Sequence, residues 1–281
     1  MTLFYSGNLR MESHGISNIA KCEYLLFDID DTLYPLSLGL NIACRTNIEE
    51  YMVQYLKIEA SEVPKMCLEL YEEYGTTMAG LKALGYEFDN DEYHAFVHGR
   101  LPYERLKPDA ALRNLLLSIP QHKIIFTNAD EAHAAQVLHR LGLEDCFEGI
   151  ICFETLNPPN YNYIDNENEF FFDYCDDNSL FPKSRVLCKP SVEAFEAAIL
   201  IANVNPSKTV FFDDSVRNIA SAKVAGLNTV IVGSSVVVPG ADVALESIHN
   251  IREALPETWE GEEECFEQVL HCNSVETVVH A

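Results

Sequence analysis

Apolar residues along this chain gather in five short runs, at 24–29, 123–126, 149–153, 209–212 and 229–232. Within each run the hydrophobic positions are nearly continuous rather than alternating, the pattern of a strand buried on both faces. Runs this short favour strands over buried helices. The stretches between them read as helix or loop, and strands alternating with helices predict an α/β fold built on a doubly wound parallel sheet. Three of the runs stop in polar residues able to do chemistry: Asp28 and Asp30, Thr127 and Asn128, Asp213 and Asp214. Ligands of open parallel sheets bind outside the carboxyl ends of the strands, so these three ends mark where a site is expected.

More than ninety residues separate the first two runs, far more than a crossover helix needs. Over 40–58, Ile42, Thr46, Ile48, Met52, Val53 and Leu56 fall at near-helical spacing. Pro64 suits the first turn of a second helix over 63–74, with Ser61 as its cap and Gly75 as its stop. A short segment runs to Gly85, and 91–98 reads as one more helix behind Asp89 and Asn90. Residues 36–106, bracketed by Pro35 and Pro108, are therefore expected to be a small helical domain inserted into a core made of 20–35 and 107–250. Inside that core, 157–183 is rich in Asn, Asp, Tyr and Phe without a consistent period, and an irregular insertion is expected there. The stretch 251–281, carrying Gly261-Glu-Glu-Glu264, is expected to be an acidic extension.

Composition narrows the partners. The 281 residues are 48% hydrophobic, enough for a sizeable core, but the formal net charge is -25. A field of that sign disfavours nucleic acid and anionic membranes, so neither is an expected partner. It also repels an anionic substrate, and a phosphate site here must supply its own positive charge. The nine cysteines form neither a Cys-x-x-Cys pair nor a Cys/His cluster at zinc spacing, which reads as free thiols in a reducing compartment. The first ten residues lack the charged start and apolar core of a signal peptide, and no apolar run approaches the ~20 residues of a membrane span. A cytoplasmic protein is expected, monomer or homodimer, with Met11 an alternative start to Met1.

In Asp28-Ile-Asp-Asp-Thr32, strand alternation would aim Asp28 and Asp30 the same way. Two adjacent carboxylates suit a metal ion and a reaction in which Asp28 attacks phosphorus while Asp30 moves protons. Asp31 is expected to be exposed or a local cap, without a catalytic role. Thr127, with Asn128 beside it, offers a hydroxyl where a helix begins, an arrangement that binds phosphate oxygens and also makes an ordinary helix cap. Lys189 stands just before a helical pattern, where a cation opposes the helix dipole unless an anion sits nearby. Asp214, with Asp28 and the backbone carbonyl of Asp30, would make a hard oxygen site for Mg²⁺, with Asp213 bound directly or one layer behind.

These four ordered segments resemble the haloacid dehalogenase superfamily: D-x-D-x-T, a strand ending in Thr, a Lys before a helix, and a strand ending in D-D. The resemblance spans roughly residues 22–235. It implies a Rossmann-like core with Asp28 as nucleophile, Asp30 as acid/base, Mg²⁺ as cofactor and 36–106 as a helical cap. Asp30 argues against a dehalogenase, which does not need the second carboxylate, and favours a phosphatase. Asp-Asp-Thr-Leu-Tyr-Pro-Leu-Ser37 and Phe-Phe-Asp-Asp-Ser-Val-Arg-Asn218 resemble the pyrimidine 5′-nucleotidase-like branch. Tyr71-Glu-Glu-Tyr-Gly-Thr-Thr-Met-Ala-Gly80 and Phe96-Val-His-Gly-Arg-Leu-Pro-Tyr103 look closest to the plant xanthosine monophosphate phosphatases. The implied substrate is a small phosphate monoester, first a xanthine nucleotide, with Thr76, Thr77, His98 and Arg100 as candidates for base recognition. Each has a plainer reading: the threonines as helix caps, His98 as an exposed helix end, Arg100 as a partner of a surface carboxylate. The same core residues would serve a pyrimidine nucleotidase, a sugar phosphatase or a phosphomutase. A non-catalytic interaction protein on this fold would have no need of Asp28, Asp30, Lys189 and Asp214 together.

Overall fold

The computed structural model describes residues 22–158 and 186–255. Six parallel strands form one sheet: β1 Tyr24–Phe27, β2 His122–Phe126, β3 Gly149–Ile151, β4 Thr209–Asp213, β5 Asn228–Val232 and β6 Val243–Leu245, in the order β3-β2-β1-β4-β5-β6. All five strand pairings are parallel. The strand order reverses at β1, which pairs β2 on one side and β4 on the other, and this places the ends of β1, β2 and β4 side by side at a switch point.

Side-chain alternation along the strands feeds two cores, one per face. Leu25, Phe27, Ile125, Val210, Phe212 and Val230 join one cluster with Leu112, Leu116, Val137 and Leu138. The intervening Leu26, Phe126, Phe211 and Ile231 join the other with Phe195, Ala198, Ile219 and Ala222. The covering helices are α5 Ala110–Ser118 and α6 Glu131–Leu141 on the first face, and α8 Val192–Ala202 and α9 Val216–Val224 on the second. A four-residue helix, α7 Phe153–Leu156, follows β3.

Between β1 and β2 stand α1 Leu40–Gln54, α2 Val63–Tyr74, α3 Thr77–Ala83 and α4 Asn90–Val97. They hold their own apolar clusters, one around Met52, Val63, Cys67, Leu70 and Leu81, the other around Tyr51, Met78, Tyr93 and Val97. Phe153 of α7 belongs to the second cluster, so the helical segment rests on the sheet domain there. The caps follow the local chemistry. Asp89 accepts from Glu92 N at 2.9 Å, Pro64 sits in the first turn of α2, and Gly75 ends that helix at φ 85. Glu62, not Ser61, directly precedes α2, and its side chain makes no cap bond.

Three differences from the sequence pattern matter. First, β1 stops at Phe27 rather than at 29. Asp28 N still bonds Phe212 O at 2.9 Å, but Leu33 N reaches back to Ile29 O at 2.9 Å and Asp31 takes φ 58, turning the chain out of the sheet. Secondly, β6 adds a sixth strand to the five runs, its Val243-Ala-Leu245 too short to stand out between Asp242 and Glu246. Thirdly, residues 251–255, grouped with an acidic extension by the sequence, form α10 Ile251–Ala254 and its exit. Ile251, Ala254 and Leu255 are buried in the first-face cluster. Most of the 157–183 insertion and all of 256–281 lie outside the described residues. No helix among the described residues is long and apolar enough to cross a membrane.

Candidate active site

Lys189 is the centre of the constellation. Its ammonium donates to Asp28 Oδ1 at 2.7 Å, to Asp213 Oδ2 at 2.9 Å and to the Phe126 carbonyl at 2.9 Å, using all three of its protons. These acceptors come from the ends of β1, β4 and β2, so one cation ties together the three strand ends that meet at the switch point. The side chain is 1% exposed. Burial alone would lower its pKa, but Asp213 and Asp28 outweigh that and raise it, so the group stays an ammonium.

The loop carrying Lys189 is fixed from two sides. Asn128 bonds its backbone twice, Nδ2 donating to Lys189 O and Oδ1 accepting from Lys189 N, both at 2.8 Å. From the helical segment, Gly75 packs so close that a Cβ there would overlap the Lys189 carbonyl oxygen and lie 2.5 Å from Pro190 Cδ. Cys188 Sγ donates to Tyr74 O at 3.4 Å, and Arg217 Nη1 donates to Tyr71 O at 3.1 Å and Glu72 O at 2.7 Å at the carboxyl end of α2. The sheet domain thus grips the end of one inserted helix directly beside the lysine.

Asp213 is fully buried and spent on structure: Asn218 Nδ2 lies 3.0 Å from each of its oxygens, and Ser215 N donates to Oδ1 at 2.8 Å. Asp214 is different, since neither Lys189 nor Asn218 donates to it. Burial first, then Asp213 and Asp31, push it up to about 7. Ligand oxygens of Asp28, Asp213 and Asp214 all lie within 4.8 Å of one another. Three carboxylates against one ammonium leave an excess of negative charge that a divalent cation would offset, and an all-oxygen donor set suits a hard ion. Asp31 adds to the crowding: its Oδ1 is buried without a partner, and burial and Asp30 raise it to about 6.

Asp30 leaves the sheet through the turn, not by strand alternation, and its carboxylate faces another set of groups. Tyr34 OH donates to Oδ1 at 2.5 Å, and His133 Nε2 lies 2.8 Å from the same oxygen. His133 is 2% exposed, and its Nδ1 is 2.8 Å from Tyr103 OH. Burial would raise the Asp30 pKa, but His133 and Tyr34 overcome it and hold the carboxyl below its usual range. Nearby, His98 Nδ1 meets Asp130 Oδ1, and His98 packs between His94, at 5.5 Å, and His133, at 4.7 Å between ring centroids.

Of the remaining residues singled out by sequence, Thr127 is buried. Its N–H pairs with Ile151 O at 2.9 Å and its Oγ1 accepts from Ala129 N at 3.1 Å. Thr76 caps α3, accepting from Ala79 N at 3.1 Å, and lies 3.9 Å from Cys188 Sγ. Thr77 is buried and donates to Cys67 O at 3.1 Å. Arg100 pairs with Glu50 Oε2 at 2.7 Å and stacks on Phe96, with its side chain 44% exposed. The structure therefore brings Asp28, Asp213, Asp214 and Lys189 together, joins Asn128 to them through the backbone and puts Thr76 and His98 where the inserted helices meet the sheet domain. The sequence reading passed over Tyr34, Tyr103, Asp130, His133 and Arg217. His133 carried a signal, a histidine on the apolar face formed by Ala134, Val137, Leu138 and Leu141.

A family model for haloacid dehalogenase-like hydrolases matches residues 23–226, and the chain belongs to that family. Among curated proteins it is similar to phosphate metabolism protein 8 of Saccharomyces cerevisiae, 28% identical over 214 residues, covering 73% of this chain and 60% of that protein's length. Among solved structures it resembles a HAD phosphatase from Thermococcus onnurineus, with TM-score 0.50, 16% identity, and 82% of this chain and 96% of that one covered. The L-2-haloacid dehalogenase of Xanthobacter autotrophicus with chloropropionic acid covalently bound matches with TM-score 0.47, 13% identity, and 83% and 97% covered.

Proposed function

We propose that this hydrolase is a Mg²⁺-dependent phosphatase acting on a nucleoside 5′-monophosphate, with xanthosine 5′-monophosphate the first choice. The observation that carries the reading is the pairing of two carboxylates in different states. Asp28 is buried and bonded to Lys189, whereas Asp30 is 41% exposed at its side chain and anchored through one oxygen. A carboxylate held by a lysine suits a nucleophile, and a second one reaching outward suits proton transfer.

An Asp28 oxygen forms a bond to phosphorus while the ester P–O bond breaks. Its electron pair goes to the leaving oxygen, which takes a proton through Asp30; because His133 and Tyr34 keep that carboxyl ionised in the resting protein, the proton enters with the monoanionic phosphate ester. Water then adds to phosphorus and gives its proton to the Asp30 carboxylate, and the P–O bond to Asp28 breaks with its pair returning to Asp28. Asp28 and Asp214, with the Asp30 carbonyl, would hold the metal, and Asp213 supports Lys189 behind them. When bound, the ion supplies positive charge for phosphate oxygens within a strongly acidic protein. Thr127 and Asn128 stand at the end of β2 for the phosphate, the second chiefly by fixing the lysine loop.

Residues 36–106 act as a cap over this site. Support for a nucleotide comes from where the two stretches with nucleotidase-like sequence lie. Gly75 and Thr76 of the first touch the Cys188–Pro190 loop, and His98 of the second meets Asp130. Of the four candidates for base recognition, Thr76 and His98 contact the sheet domain, whereas Thr77 donates to Cys67 O and Arg100 pairs with Glu50. Phosphate release from a panel of nucleoside 5′-monophosphates and sugar phosphates with Mg²⁺ tests the reading. Preference for the xanthine nucleotide supports it, equal rates on pyrimidine nucleotides or sugar phosphates remove the substrate assignment, and no release removes the phosphatase.

A further inference from the structure

We propose that His133 is a positioning residue for Asp30, holding one carboxylate oxygen so that the other is presented for proton transfer. The inference rests on the acid/base reading of Asp30 given above and extends it to a residue outside the four family segments.

The geometry is specific. Among the described residues every hydrogen bond to the Asp30 side chain ends on Oδ1, one from Tyr34 OH and one from His133 Nε2 at 2.8 Å. Oδ2 has no protein partner among the described residues, and the side chain is 41% exposed while His133 is 2% exposed. The carboxylate is therefore anchored at its buried end and open at the other. Its terminal torsion is an sp³–sp² bond with a broad, shallow profile, so packing into a rotamer well does not set the plane of the group. The hydrogen bonds to Oδ1 do.

His133 can do this because both of its nitrogens are used. Tyr103 OH lies 2.8 Å from Nδ1. In the neutral ring, Tyr103 donates to Nδ1, which places the ring proton on Nε2, where it is donated to Asp30. A histidine buried among Ala134, Val137 and Leu138 without such partners would be costly, and apolar residues would fill the same space. Tyr34 and Tyr103 come from the two chain segments that leave and re-enter the sheet domain around 36–106, and the anchor is built from both of them.

A purely structural histidine and a positioning one are separated by the leaving group. A nucleoside 5′-alkoxide must be protonated as it departs, whereas p-nitrophenolate leaves without a proton. The test is kcat/KM, which reports the steps through ester cleavage, for uridine and xanthosine 5′-monophosphates against p-nitrophenyl phosphate. The proteins are the unaltered chain, His133→Phe, His133→Gln, Tyr103→Phe and Asp30→Asn. General acid catalysis contributes about 10²–10⁴-fold, and misaligning the acid should forfeit part of that. His133→Phe should lower kcat/KM on the nucleotides about 30-fold but on p-nitrophenyl phosphate about threefold or less. His133→Gln, which keeps an N–H near the Nε2 position, should recover most of the loss. Tyr103→Phe should show the same selectivity at about three- to tenfold, and decides the matter if His133→Phe does not fold. Equal losses on both ester types, or no selectivity in Tyr103→Phe, would overturn the inference. If Asp30→Asn itself shows no leaving-group selectivity, the acid/base reading of Asp30 fails instead. If Asp30→Asn shows it and the His133 and Tyr103 variants do not, only the positioning role fails.

Discussion

Lys189 Nζ stands 2.7 Å from Asp28 Oδ1, although 161 residues separate the two in the chain. The contact exists because β1 is central in the sheet and the lysine loop is bound to the end of β2 by Asn128. It joins the proposed nucleophile to the only kind of charge that can neutralise it from within the protein.

Removing that charge should cost stability as well as activity. Lys189→Met would leave Asp28 and Asp213 buried and facing each other, and losing one partner of a buried charge set typically costs about 3–5 kcal/mol. Urea denaturation should show a loss of that order. The added variant Asp213→Asn should return part of it, because one of the stranded carboxylates is then gone. Independent, additive losses would mean that the three groups are not coupled.

Asp214 should report the metal. Burial first, then the crowding by Asp213 and Asp31, raise it to about 7. In metal-free protein, Asp214→Asn should raise the melting temperature slightly by relieving that crowding. In the unaltered chain, Mg²⁺ should raise the melting temperature and chelation should abolish phosphate release, while the variant should respond to neither addition nor removal. A full Mg²⁺ response in Asp214→Asn would move the metal elsewhere.

His94 gives stability a pH dependence. Burial, then His98, lower its pKa from the ordinary 6.5 to about 4, and its Nδ1 is buried without a partner. Because the folded value lies below the unfolded one, the unfolded chain binds the extra proton first. Stability is complete above about pH 6.5 and falls as the pH drops from there toward 4. Between pH 7 and pH 5 the group accounts for about 1–2 kcal/mol. His94→Leu should flatten the stability profile over that interval by this amount, measured by denaturation at each pH. An unchanged slope would contradict the assignment.

Gly75 tests the contact between the inserted helices and the lysine loop. It adopts φ 85, and a Cβ would overlap the Lys189 carbonyl oxygen. Gly75→Ala should therefore cost about 1–3 kcal/mol through backbone strain alone. It should also lower kcat/KM at least about tenfold by displacing the loop from Asp28. A stable, fully active variant would show that the close approach is not required.

Much of this was legible beforehand where a run of apolar residues ended in charge. The strands ending at Asp28, Thr127 and Asp213 follow from buried parallel geometry, and β2, β4 and β5 came from runs of Val, Ile and Phe within one residue of the observed bounds, while the runs for β1 and β3 overshoot by two. The β1 end was overextended because Ile29 is apolar for a different reason: it packs under the turn, not in the sheet. Local sequence also held nothing to say that Asn128 would serve the Lys189 backbone, a contact between positions 61 residues apart. The Asp30–His133–Tyr103 chain was hidden for the same reason, since its members are polar residues scattered over three segments and united only by the fold. Thr76 caps α3 and Arg100 pairs with Glu50, as their plainer readings have it, whereas Thr77 donates to Cys67 O instead of capping a helix, beside the recognition roles proposed for them.

The account turns on Asp28 becoming covalently phosphorylated. Acid quench of the protein during turnover of a ³²P-labelled nucleoside monophosphate, followed by peptide mapping, tests this directly. The account predicts label on the peptide carrying Asp28, and none in Asp28→Asn. Turnover with no label on the chain at any quench time would contradict it.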